Sequence, residues 1–291
     1  MRYEGMVFRP PSEANSLIIQ ATVGCPHNRC AFCSMYRQSR FRIRSIVEIK
    51  EDLDMAREYY GDAVRTVFFA DGNTIVMKTV ELVEILHYTQ ELFPYLKRIT
   101  SYGSARFIVR KKPAELRALR EAGLARIHSG MESGDDDVLR LINKGVDAAG
   151  IVKAGLMVKE AGMELSEYII VGIGGRAMSV QHAIQSAKVL EKIHPDFIRL
   201  RTFMPAPGTP LDELYKEGAF ELLSPHEALR ETRLFVEHLG NTESMLYSDH
   251  VSNYSDVHGR LPADRERMLR EIDSALKLPE SSFRDPRTLR L

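Results

Sequence analysis

The sequence predicts an α/β fold on parallel strands, an open, partial (β/α)6 barrel, and three observations predict it. Six short apolar runs alternate with stretches whose apolar residues recur at helical period. A helix-length segment separates each run from the next, which is the spacing of βαβ units in a parallel sheet. The residues least suited to a core fall just after the C-terminal ends of the runs, where parallel β/α barrels place their sites. Six units fall short of eightfold closure.

Residues 17–22 form the first buried strand, which ends at Gly24 and delivers every cysteine of the chain, Cys25, Cys30 and Cys33, in one loop. From Val47 the period becomes helical, with Ile49, Leu53, Ala56 and Tyr60 on one face and Gly61 as the stop. Strand two spans 64–70 and ends in the turn composition Asp71-Gly72-Asn73. A helix over 78–93 leads to strand three, 99–102. The next helix is opened by Pro113 and closed by Gly123. Strand four, 125–130, runs into Ser133-Gly134-Asp135-Asp136-Asp137, an N-cap with acidic residues suited to the helix dipole. Leu139 and Ile142 face the core before Gly145 ends that helix. A helix over 148–161 and strand five, 165–171, follow, and the strand closes in Gly172-Ile173-Gly174-Gly175. Ser179 is expected to cap a helix reaching Ile193, and 196–202 is strand six. The expected organisation is an N-terminal segment 1–16, a core 17–211, and a mainly helical extension 212–291 covering the barrel, with helices at 225–238 and 263–276.

With 291 residues, 44% of them hydrophobic, the chain can bury a large core. Lys+Arg and Asp+Glu both number 40, so net charge gives no pull toward a polyanion. The one basic patch, Arg37, Arg40, Arg42 and Arg44, attracts an anionic substrate or RNA, or is a solvated face. No run approaches the ~18 apolar residues of a membrane span, so no membrane partner is expected. Clustered, odd-numbered cysteines argue for a reducing compartment, hence a cytoplasmic location.

Three thiolates within nine positions are the soft ligand set selected by zinc and by iron–sulfur clusters. Zinc normally takes a fourth ligand, which His27 supplies only if the turn folds back sharply. A cluster with one open iron fits the count better. Alternation along the strands puts Tyr102, His128, Glu132, Tyr168, Arg199 and Arg201 on the interior face. An interior this polar is either a wet ligand site or a set of structural ion pairs. The polar stretch 248–258, which holds His250, either dips into the barrel mouth or forms a hydrogen-bonded turn.

The cysteine loop resembles that of the radical S-adenosylmethionine (SAM) superfamily, with one departure. The family spacing is Cys-x3-Cys-x2-Cys, and this chain has four residues between Cys25 and Cys30. The resemblance implies a TIM-like radical SAM barrel in which Cys25, Cys30 and Cys33 hold a [4Fe–4S] cluster. It also implies that SAM binds the open iron and is reductively cleaved to a 5′-deoxyadenosyl radical that abstracts hydrogen from substrate. Phe32 matches the aromatic before the last cysteine, near adenine. Asp71, Gly72 and Asn73 stand where the family binds the SAM amino group, and Ser104 joins the cofactor-binding set. Ser129 to Gly134 with Lys144 is similar to the branch containing anaerobic coproporphyrinogen oxidase and the methylthiotransferases. There Glu132 would approach the ribose and Lys144 the SAM carboxylate. Gly172 and Gly174 resemble the strand-five glycines facing adenine, and Met204 lies in the similar stretch 203–211. No cysteine follows Cys33, so no auxiliary cluster is expected. The expected substrate is a small or medium organic anion, with Tyr168, Arg199, Arg201 and His250 as its catalytic-side candidates. The expected electron donor is an external flavodoxin or ferredoxin. A tRNA- or RNA-modifying enzyme, or a non-catalytic cluster carrier or electron-transfer protein, is the alternative.

Overall fold

A computed structural model describes residues 1–283. In chain order the elements are β1 (Leu17–Gln20), β2 (Thr22–Val23), β3 (Arg42–Ile43), α1 (Ile46–Tyr60), β4 (Thr66–Ala70), α2 (Thr79–Leu92), β5 (Arg98–Tyr102), α3 (Ala105–Ile108), α4 (Pro113–Glu121) and β6 (Leu124–Glu132). They continue as α5 (Asp136–Leu141), α6 (Ala148–Glu160), β7 (Glu164–Val171), α7 (Gly175–Ile193), β8 (Phe197–Thr202), α8 (Pro210–Lys216), α9 (Pro225–His238), β9 (Met245–Tyr247), β10 (His258–Arg260) and α10 (Arg265–Ala275). The main sheet has eight strands in the order β1-β4-β5-β6-β7-β8-β9-β10, and β2 and β3 form a small second sheet. The pairs β1/β4, β4/β5, β5/β6, β7/β8 and β8/β9 are parallel, while β9/β10 is antiparallel. This is the expected α/β fold, and the strand order does not close on itself among the described residues.

Two compact units divide the chain. The first takes in residues 1–28, 35–129 and 156–165. Its β4, Thr-Val-Phe-Phe-Ala, is buried from Val67 onward, as suits a strand covered on both faces. Ser45 caps α1 with a reciprocal Glu48 capping box, and Gly61 ends it in left-handed backbone, so local chemistry alone sets both ends. His128 is fully buried, 3.0 Å from the equally buried Glu13. Burial pushes the Glu13 carboxyl up, but hydrogen bonds from His128 and Ser16 and the nearby charges of His128 and Arg98 outweigh it and hold it at about 2. The interior-facing His128 is thus half of a buried, hydrogen-bonded structural pair.

The second unit takes in 29–34, 130–155 and the chain from 166 onward. Ile169, Ile198, Leu200 and Leu246 of the strands are buried, and so are Ala183, Ala187 and Leu190 of α7 and Phe235 and Val236 of α9, two helices that pack against each other. One expectation is corrected in this unit. Ser179 is no cap, because α7 already begins at Gly175, where the Gly172 turn (φ 81°) redirects the chain and Glu221 O accepts the Arg176 N–H. The C-terminal extension is mainly helical, through α8, α9 and α10, and it also adds β9 and β10 to the sheet; three-residue strands are too short to show a periodicity. Stretch 248–258 is the hydrogen-bonded turn between them. Asn253 donates to Leu200 O and Ser248 O, and Ser252 Oγ accepts the Thr202 N–H, so the turn is clamped onto the end of β8. Among the described residues no helix is long and apolar enough to cross a membrane.

Candidate active site

In the first unit, β1 does not run unbroken to residue 22. Residues 22–23 pair with 42–43 in the small sheet, so the cysteine loop leaves and returns through a two-stranded neck. Next to that neck Asp71 is fully buried. Its Oδ2 accepts Gln20 Nε2–H at 2.9 Å and Gly24 N–H at 3.3 Å, and its Oδ1 accepts the Tyr36 hydroxyl at 2.9 Å. Burial raises the Asp71 carboxyl above its ordinary value, opposed by these hydrogen bonds and one from the Phe8 amide. Burial likewise pushes the Tyr36 phenol up, reinforced by Asp71. A Cβ on Gly72 would lie 3.0 Å from both Cys25 Cβ and Gly24 O, so only glycine lets this turn lie against the first cysteine. Asn73 is buried and exchanges two hydrogen bonds with Ser104, accepting the amide N–H and donating to Oγ. Two of the four patch arginines serve other ends. Arg44 is buried on Asp52, and Arg42 binds Glu4 and Glu48.

In the second unit, Ala31 is pinned from both sides, its N–H donating to Ile142 O at 2.8 Å and its carbonyl accepting the Leu211 N–H at 3.0 Å. Asn143 donates to Arg29 O at 3.0 Å, and Cys33 N–H donates to Cys30 O at 3.3 Å. The turn after α5 therefore holds the loop around Cys30, a role that no local sequence signal announces. Glu132, at the end of β6, has left-handed backbone (φ 64°), which costs a non-glycine residue about 1 kcal/mol or more. Its carboxylate meets Lys144 Nζ at 2.9 Å with both side chains nearly buried, and Lys144 Nζ lies 6.0 Å from the Phe32 ring centre. A Cβ on Gly130 would fall 2.2 Å from Glu132 Oε1. Phe32, Glu132 and Lys144 are thus brought together.

Beyond β7 and β8 a cavity of about 410 Å³ is lined by Gly172, Phe203, Met204, Leu223, Tyr254 and Phe283 among others. Gly174 packs on Val138, a virtual Cβ being 3.0 Å from Val138 Cγ2. Behind the glycine turn lie groups that the sequence did not single out, Glu231 on α9 and His182 on α7, both buried. Burial raises Glu231 to about 7 and lowers His182 to about 4. Because the folded His182 takes up its proton near 4 and an unfolded one near 6.5, its contribution is full above 6.5 and is lost as pH falls toward 4. Glu231 acts in the opposite sense, its contribution being full below 4.5 and lost as pH rises through 7. The two offset in the whole chain, so a difference between chains isolates the histidine. Between about pH 7 and about pH 5, urea midpoints are expected to favour His182→Gln over the parent by about 2 kcal/mol more at the acid end.

On the face of β8 opposite its buried Ile198 and Leu200, Arg199 and Arg201 stand two residues apart. The Arg199 guanidinium lies over Tyr247, 4.7 Å from the ring centre, and Arg201 lies 5.8 Å from that of Tyr168. Neither pairs with a carboxylate, and Arg199 Nε is buried without a hydrogen-bond partner, among the described residues. His250 Nδ1 meets Ser252 Oγ at 2.8 Å; burial, then the charge of Arg201, lowers this imidazole to about 4, so it is neutral near pH 7. Tyr247, from a strand the sequence did not reveal, was not foreseen.

Three thiols outside any disulfide, a glycine turn and a carboxylate–lysine pair lie in strand-end turns, where α/β enzymes built on parallel strands carry their chemistry. The model of the Radical SAM superfamily matches residues 19–186, more than half of the chain, and the chain belongs to that superfamily. An uncharacterised protein of Methanocaldococcus jannaschii is 24% identical over 249 residues, 82% of this chain and 74% of that protein. Among solved structures, methylornithine synthase superposes with a TM-score of 0.56 at 20% identity, over 88% of this chain and 68% of that one. Escherichia coli coproporphyrinogen III oxidase does so with a TM-score of 0.55 at 18% identity, over 77% and 52%. The superfamily uses a [4Fe–4S] cluster and SAM. The donor set here fits such a cluster, since three half-buried thiols, none in a disulfide, lie in one loop.

Proposed function

We propose that this radical SAM enzyme acts on a small organic anion held by Arg199 and Arg201. The observation that carries the reading is the pair of half-buried guanidinium groups with tyrosine rings beside them and, among the described residues, no carboxylate in a salt bridge with either. A cation taken partly out of water without a counter-charge is costly, and a bound carboxylate or phosphate relieves that cost through charge-assisted hydrogen bonds. On this reading Cys25, Cys30 and Cys33 hold the cluster. Phe32, Asp71, Gly72, Asn73, Ser104, Glu132, Lys144, Gly172, Gly174 and Met204 surround SAM. When bound, cluster and SAM together supply a 5′-deoxyadenosyl radical for hydrogen abstraction, with the electron coming from an external flavodoxin- or ferredoxin-like donor. Tyr168 and Tyr247 keep water from the guanidinium faces, and neutral His250 offers a hydrogen bond beside Arg201. The extension from residue 212 then belongs to the substrate site, since it supplies Tyr247 and His250.

Calorimetric titration of the reconstituted enzyme with a panel of carboxylates, phosphates and their neutral esters tests this. Anions are expected to bind and esters not, and Arg199→Gln and Arg201→Gln each weaken binding about 10- to 100-fold. Equal binding of esters, or salt-sensitive tRNA binding without any small anion, overturns the reading.

A further inference from the structure

The structure assigns Glu231 a positioning role: from α9, its carboxylate braces the turn after β7 and, through α7, the turn after β6, presetting both for the cofactor. This rests on the proposed placement of those turns beside SAM.

The bracing runs through hydrogen bonds from Gly172 and from Ser179 of α7 to Glu231, and through others that join α7 to the turn after β6. Glu231 Oε1 accepts the Gly172 N–H at 2.6 Å, and Oε2 accepts the Ser179 hydroxyl. Gly172 has left-handed backbone, φ 81°, at the point where β7 ends. Its N–H points away from the strand ladder, so the carboxylate is what satisfies it. Oε1 also faces His182 Nε2 at 3.5 Å. On its other side His182 Nδ1 lies 2.8 Å from Ser133 Oγ. The Glu231 carboxylate at Nε2 can only accept, so the neutral imidazole carries its proton on Nε2 and Nδ1 accepts the Ser133 hydroxyl, whose oxygen in turn accepts the Asp135 N–H. Ser186, one turn along α7, accepts the Gly134 N–H at 2.8 Å. Gly134 lies so close to α7 that a Cβ would meet Gln185 O at 2.6 Å. Ser133, Gly134 and Asp135 are therefore tied to α7, α7 is tied to Glu231, and Glu231 holds Gly172 directly.

A buried carboxylate facing an imidazole is poor value as stabilisation, since well-packed apolar side chains serve at least as well. What a fully satisfied polar network does supply is a unique geometry. Here the groups whose geometry it sets are the backbone of Gly172 and the turn that carries Glu132.

Hydrogen exchange by mass spectrometry on the unloaded protein, with SAM binding and iron content of the reconstituted protein, tests the role. In Glu231→Ala, segments 130–135 and 171–175 are expected to exchange together, about 10-fold or more faster, as the loss of a buried hydrogen bond implies. The SAM dissociation constant should rise about 10-fold or more with iron content unchanged. Glu231→Gln should restore all of this, because its amide oxygen still accepts from Gly172 and its amide nitrogen donates to Ser179. Faster exchange confined to 171–175 overturns the shared brace. Faster exchange in both segments with unaltered SAM affinity leaves the brace standing and overturns the placement of the turns beside SAM. If the alanine variant exchanges faster throughout, the glutamine variant decides: behaviour like the parent supports the role, and loosening of both turns overturns it.

Discussion

Replacing Cys30 by alanine is expected to abolish cluster binding and turnover while leaving the fold intact. The thiol is half-buried in the loop between β2 and β3, and no other described side chain depends on it for a disulfide. The backbone around it is held by Ile142, Leu211 and Asn143, none of which uses the sulfur. Removing one sulfur at such a position costs the fold about 1 kcal/mol or less. On the proposed reading it removes one of three cluster ligands, and the sequence has no cysteine elsewhere to substitute. Iron and sulfide analysis should fall from about four irons per chain to background, with circular dichroism unchanged. Cys25→Ala and Cys33→Ala should behave alike. Full iron retention in Cys25→Ala would instead mean that the residue before the widened gap is not a ligand.

Asp71→Ala is expected to damage both stability and cluster loading. The carboxylate is the common acceptor for Gln20, Gly24 and Tyr36, and Gly24 adjoins the first cysteine. Deleting it takes a buried acceptor from Gly24 and Tyr36, from one Gln20 amide proton and from the Phe8 amide, at about 1–3 kcal/mol for each donor left unpaired, so a loss of about 3 kcal/mol or more is expected in urea unfolding. Iron incorporation should drop as the neck of the loop loosens. Asp71→Asn should lose far less, because its oxygen still accepts from Gln20 and Gly24 while its amide donates to the Tyr36 oxygen. If Asp71→Ala loads iron fully and unfolds with the parent while SAM affinity falls, the carboxylate serves SAM and not the loop.

Much of the fold was legible because its signals are local. Pro225 and His238 bound the same helix in expectation and structure, and the Val67–Ala70 run is a strand wherever it is packed. The two-residue β2, β3 and the short β9 and β10 were not legible, since strands that brief carry no period and exist only through their partners. Ser179 misled because a serine before a helical stretch is a cap only if the chain turns there, and the turn lies at the glycines instead.

The site divides along the same line. Three cysteines in nine positions, the Asp71 turn, the Gly172 turn and the two arginines of one strand face follow from residue type and spacing, which the chain carries before it folds. The partnership of Glu132 with Lys144, the pinning of Ala31 by Ile142 and Leu211, the brace from Glu231 to Gly172 and the stacking of Tyr247 on Arg199 join residues 12, 111, 180, 59 and 48 positions apart. Such pairs were decided by the tertiary structure alone. A buried donor finds whichever acceptor the packing brings within about 3 Å, and periodicity says which face a side chain is on but not what meets it there.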